Sequence, residues 1–120
     1  MVRYTHEHIW LAAKGELATA GITLHAQDTL GDIVSVELPA IGARFEADAI
    51  VGVVESVKTA SDLHMPAAGE IVAVNEDLVN DPSLANSDPL GAGWFFRFRL
   101  DAGQSLDGLM DEAAYQAFTG

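Results

Sequence analysis

The chain has 120 residues, 49% of them hydrophobic, and a formal net charge of −12, which predicts one soluble domain with one modest core. No apolar run approaches the ~20 residues of a spanning helix, and no export or organelle signal is visible, so the expected compartment is the cytoplasm. The absence of cysteine excludes a disulfide framework, a thiolate nucleophile and a Cys-ligated metal, and the acidic balance argues against nucleic acid, whose phosphates need cations.

In chain order, Thr5 to Ala13 reads as an extended segment running into a first strand, and Gly15 turns it before Leu17-Ala18-Thr19-Ala20. His6 and His8 would share a face of that strand, but too few further ligands are spaced to complete a zinc site, so no metal is expected. Thr23 to Leu30 has the marks of a short helix, with Thr23 as cap and Gly31 as stop. His25 and Gln27 on it read as solvent or cap residues. Ile33 to Leu38 alternates as a strand and ends at Pro39, and Ile41 to Phe45 makes a turn and a short strand.

Within Val51 to Ile71, two apolar, β-branched runs flank a short polar apex that carries Lys58 between Glu55 and Asp62. Such an interruption predicts an antiparallel hairpin with Lys58 at its tip. Gly69 to Val74 returns as a strand, and Asn75 to Gly93, rich in Asp, Asn, Pro and Gly, predicts a long surface connection with one helical turn. Trp94 to Leu100 predicts a closing core strand with Phe96, Phe98 and Leu100 on one face and Arg97 and Arg99 on the other. Leu106, Leu109, Met110, Ala113, Ala114, Ala117 and Phe118 are spaced for a terminal helix over the sheet.

Lys58 is one of only two lysines, with Lys14, against eighteen acids, so solvation is not what a lysine serves on this surface. Its frame, Glu55-Ser56-Val57-Lys58-Thr59-Ala60-Ser61-Asp62, together with Gly21-Ile22-Thr23, His25-Ala26-Gln27, Leu30-Gly31-Asp32-Ile33-Val34, Val36-Glu37-Leu38-Pro39, Gly69 to Asn75 and Gly93-Trp94, resembles the glycine cleavage system H proteins in order along nearly the whole chain. The resemblance implies a mainly β, lipoyl/biotinyl-type barrel-sandwich hybrid, with two small antiparallel sheets, short helices and a C-terminal helix, over residues 1–120 as one domain.

It also implies that Lys58 carries a covalent lipoyl group, with a reach on the order of 15 Å, and that Glu55 and Asp62 are the charges by which a lipoate-attaching enzyme selects it. The implied role is a monomeric, non-enzymatic carrier. It takes an aminomethyl group from glycine decarboxylase (P protein), delivers it to the tetrahydrofolate-dependent aminomethyltransferase (T protein), and is reoxidised by dihydrolipoamide dehydrogenase (L protein). His8, Ile9 and Asp62 would line the cleft that shelters the loaded arm. Where the family commonly has His-Glu-Trp, this chain has His8-Ile9-Trp10, so the arm is expected to be held less tightly and a Glu at position 9 to slow its hydrolytic loss. Strand alternation would turn Glu7 away from that role. A lipoyl-relay donor to 2-oxo acid dehydrogenases and an unmodified interaction domain are the alternatives; a biotin carrier is disfavoured because Val57 and Thr59, not Met, bracket the lysine.

Overall fold

The computed structural model describes residues 2–101, 106 and 108–119; the rest lie outside the described set. The elements run β1 (Val2–Tyr4), β2 (Ile9–Lys14), β3 (Leu17–Ile22), α1 (Leu24–Leu30), β4 (Ile33–Glu37), β5 (Arg44–Phe45), β6 (Ile50–Ser56), β7 (Ala60–His64), β8 (Gly69–Val74), α2 (Glu76–Asn80), α3 (Leu84–Ser87), β9 (Phe96–Leu100) and α4 (Glu112–Thr119). They form two antiparallel sheets of unequal size. The larger has the order β1-β2-β3-β9-β8-β5 and the smaller β4-β6-β7. Among the described residues no helix is long and apolar enough to cross a membrane.

Alternation decides which side of each strand is buried. In β9, Phe96 and Phe98 enter the core while Arg97 and Arg99 stay outside, and the Arg97 guanidinium lies 4.2 Å from the Trp94 ring centre. That arrangement uses the arginine to cover an aromatic, as a cation over a π face. Leu11, Ala20, Ile22, Val54, Leu63, Met65 and Ile71 join the two phenylalanines in one cluster. The strands meet closely where a side chain is missing: a Cβ on Gly52 would land on the Glu37 carbonyl oxygen of the neighbouring β4.

Three sequence expectations are corrected. Thr5 to His8 is a tight turn, not an extended segment, and it joins β2 to an additional strand, β1. Thr5 Oγ1 accepts from the Glu7 and Ile9 amides, both at 3.2 Å, and His8 adopts φ 65°. A threonine hydroxyl closing its own turn leaves no Gly or Pro to read, so His6 and His8 do not share a strand face. The connection from Asn75 to Gly93 holds two short helices, and it sends Leu78 and Ala85 fully into the core. Buried Asn75 ties its far end down, donating to the Ala92 and Trp94 carbonyls at 2.8 Å each. Isolated apolar residues among turn formers carry no period, which is why they were illegible.

The third correction concerns α4. Ala113, Ala114 and Ala117 are exposed and Phe118 is 47% exposed; the residue that docks the helix is Tyr115. Its ring stacks on Tyr4 with centroids 4.6 Å apart. Leu106, Leu109 and Met110 precede the helix, where Met110 pairs with Tyr4 through both backbone bonds. Alanine favours a helix without demanding burial, whereas a tyrosine has a large apolar ring to hide.

Gly52→Ala is expected to destabilise the fold by about 2–3 kcal/mol, because a backbone oxygen cannot step aside as a side chain can. Chemical denaturation measures it; an unchanged midpoint would show that β4 and β6 do not approach this closely.

Candidate functional site

The β6–β7 hairpin places Lys58 at its tip, exposed, with Val57 and Thr59 on either side. The tip is built tightly. The Ser56 amide donates to the Thr59 carbonyl at 2.8 Å, and Ser56 Oγ accepts from the Lys58 and Thr59 amides, each at 3.2 Å. The Val57 amide reaches outside the hairpin and donates to the Asp32 carbonyl at 3.0 Å. The tip is thus fastened to the segment between α1 and β4.

That segment is held in turn by Asn86 of α3, a residue to which sequence reasoning gave no role. Its Oδ1 accepts from the Ile33 amide at 2.8 Å, and its Nδ2 donates to the Gly31 carbonyl at 2.8 Å and to Gln27 Oε1 at 3.0 Å. A lone Asn in a turn-rich stretch gives no signal of such reach. Gly31 caps α1 with φ 79°, a value that favours glycine. The Lys58 stem lies over it: a methyl group there would stand 3.4 Å from Lys58 Cε.

Beside this platform lies a cavity of about 170 Å3. Ile9, Ile22, Ala26, Leu30, Val54 and Leu63 give it an apolar lining, and Glu7, His8, Thr29, Ser61 and Asp62 supply its polar part. The three cleft residues named from the sequence, His8, Ile9 and Asp62, are therefore brought together. Glu7 joins them because residues 5–8 form a turn, so strand alternation does not apply to it. Ile9 is only 4% exposed, and a Glu in its place would bring a carboxylate into the core cluster, where burial is costly. Glu55 pairs with Ala60 and Asp62 with Val53, which sets both carboxylates on one face of the hairpin below Lys58.

On the far side of His8 is α4. His8 Nδ1 lies 2.8 Å from the Tyr115 hydroxyl, which is 2.7 Å from Thr23 Oγ1. The His8 and His25 rings have centroids 4.4 Å apart, so His25, although exposed, also packs against His8 at the edge of the site. Burial, and then the neighbouring His25, push the His8 imidazole below its ordinary value, while Glu7 pulls the other way. Burial raises the Tyr115 phenol, opposed by its bond with Thr23. Among the described residues no group of three or more His, Cys, Asp or Glu is placed to hold a metal ion.

An exposed lysine on a braced hairpin, beside an apolar cavity with a polar rim, suits a tethered cofactor with a long apolar body. The model of the glycine cleavage H-protein family matches residues 2–120. The chain belongs to that family. It is 54% identical to the glycine cleavage system H protein of Methylacidiphilum infernorum, over 113 residues that cover 94% of this chain and 88% of the relative. Its fold is similar to the crystal structure of a glycine cleavage system H protein from Mycobacterium marinum, with a TM-score of 0.91, 38% identity, and coverage of 99% of this chain and 96% of that one. The mainly β lipoyl-domain architecture is thereby established, and so is the family's role as the lipoyl-carrying shuttle of the glycine cleavage system.

Asn86→Ala removes one acceptor and two donations from the platform and is expected to cost about 1–3 kcal/mol. Denaturation gives the loss, and hydrogen exchange should quicken at the Ile33 amide before it does in β9. Equal acceleration in both would mean that Asn86 supports the whole fold and not this segment.

Proposed function

We propose that Lys58 is the residue that bears the lipoyl group, and that this chain acts as a carrier without catalysing a bond-making step itself. The observation that carries the reading is the braced tip: a lysine projected from a turn whose amides are held by Ser56 and, across the fold, by Asp32. Among the described residues Lys58 makes no ion pair, both described pairs belonging to Arg44. Its amine is therefore free for acylation. When bound, the lipoyl group would supply a redox-active dithiol that carries the aminomethyl unit, chemistry that a chain without cysteine lacks.

The chain's own residues then have three tasks. The hairpin fixes where the arm begins, so a partner docked against the domain meets the amine at one place. Glu55 and Asp62, on one hairpin face below it, offer the attaching enzyme charges at a fixed offset from the lysine; one step of register would turn them to the other face. The cavity bounded by His8, Ile9, Glu7 and Asp62 would receive the arm between visits, its apolar lining keeping water away and its carboxylates facing a cationic amine. The partners proposed are glycine decarboxylase, the aminomethyltransferase, dihydrolipoamide dehydrogenase and a lipoate-attaching enzyme. The net charge of −12 favours basic docking faces on them.

Intact mass spectrometry of protein made beside an active lipoylating enzyme should show a single lipoyl increment that disappears in Lys58→Arg and persists in Lys14→Arg. An increment that survives Lys58→Arg would place the cofactor elsewhere.

A further inference from the structure

The buried hydroxyls between α1 and α4 have a use that the carrier role does not assign. Thr23 is 3% exposed, and its Oγ1 accepts from the Ala26 amide at 3.2 Å as the cap of α1. Its hydroxyl hydrogen meets one other polar atom among the described residues, the Tyr115 oxygen at 2.7 Å. A buried hydroxyl keeps its proton paired, so Thr23 donates to Tyr115. Tyr115 in turn donates to His8 Nδ1 at 2.8 Å. The bond order runs from the helix amide through two hydroxyls to the imidazole, and it leaves the His8 proton on Nε2.

We propose that Tyr115, with Thr23 behind it, is a positioning residue for the arm cleft: it fixes the His8 imidazole as the neutral Nε2–H form, so that this wall of the cleft carries no positive charge. The inference rests on the cleft reading above. An arm that arrives bearing an amine is cationic, and an imidazolium beside it would repel it. The groups facing His8 agree with this assignment. His25 from α1 and His6 from the turn oppose a second positive charge, and Tyr115 from α4 donates the hydrogen bond that occupies the Nδ1 lone pair. Glu7 is the one neighbour that favours protonation, and Asp62 lies across the same cavity. Tyr115 docks α4 and lines a further cavity between α1 and α4, with Thr23 and His25, so one side chain both seats the terminal helix and sets the chemistry of the cleft.

The test uses the full chain. Long-range 15N NMR on the wild-type protein should find His8 as the Nε2–H tautomer, titrating below its ordinary value of 6.5; a predominant Nδ1–H tautomer would overturn the proposal with no variant needed. Tyr115→Phe keeps the ring that stacks on Tyr4 and removes the hydroxyl. His8 should then become a tautomer mixture with its titration moved upward, while the hydrolytic release of ammonia from the amine-loaded arm quickens about three- to tenfold, the scale of one lost hydrogen bond. Because protonation is the harmful event, wild-type release should rise as the pH falls below 6.5, and the variant's rise should begin at higher pH. Thr23→Ser, which retains the relay, should behave as wild type. Unchanged release in Tyr115→Phe despite an altered His8 would overturn the positioning role. Intact mass taken before loading separates that outcome from failure of lipoylation itself.

Discussion

The Val57 amide donates to the Asp32 carbonyl at 3.0 Å, and the position of Lys58 at the hairpin tip depends on that bond. A hairpin end held only by its own strands can sway with them, since its amides have no tertiary partner. Here the tip is tied to the segment leaving α1, that segment is tied by Asn86 to α3, and α3 is seated in the core through Ala85. The chain of contacts runs from solvent to core in three steps. Its effect is to fix the backbone from which the exposed Lys58 projects.

The same economy governs charge. Six cations serve eighteen acids, and two of the arginines are committed elsewhere. Arg44 is paired with Glu70 and Asp101, and Arg97 lies over Trp94. Lys58 is left at the tip with its stem over Gly31, where neither an ion pair nor a side chain on the glycine obstructs it. The cavity follows a parallel logic, with an apolar lining and a polar part that includes Glu7 and Asp62. His8 stands between that cavity and α4, which makes the terminal helix part of the site's support and not merely a cover for the sheet.

The hairpin, the closing strand and the first helix were legible in the sequence because each has a local cause. Alternation set Phe96 and Phe98 against Arg97 and Arg99, and Thr23 and Gly31 marked the ends of α1 as cap and stop. Lys58 stood out by scarcity and by its frame. What stayed hidden rests on contacts between residues distant in the chain. Asn86 meets Gly31 across 55 positions and Tyr115 meets His8 across 107. No period or turn signal encodes either. The turn at Thr5 to His8 was missed for a local reason, a threonine hydroxyl taking the place of glycine, and that single misreading also turned Glu7 away from the cleft it lines.

Backbone 15N relaxation across residues 55–60 tests the central claim most directly. A braced tip predicts order parameters near those of the strands, about 0.85, for the Ser56 to Thr59 amides, with and without the lipoyl group. Values below about 0.6 at those amides would contradict the account, because a swaying tip could not present Lys58 at one place.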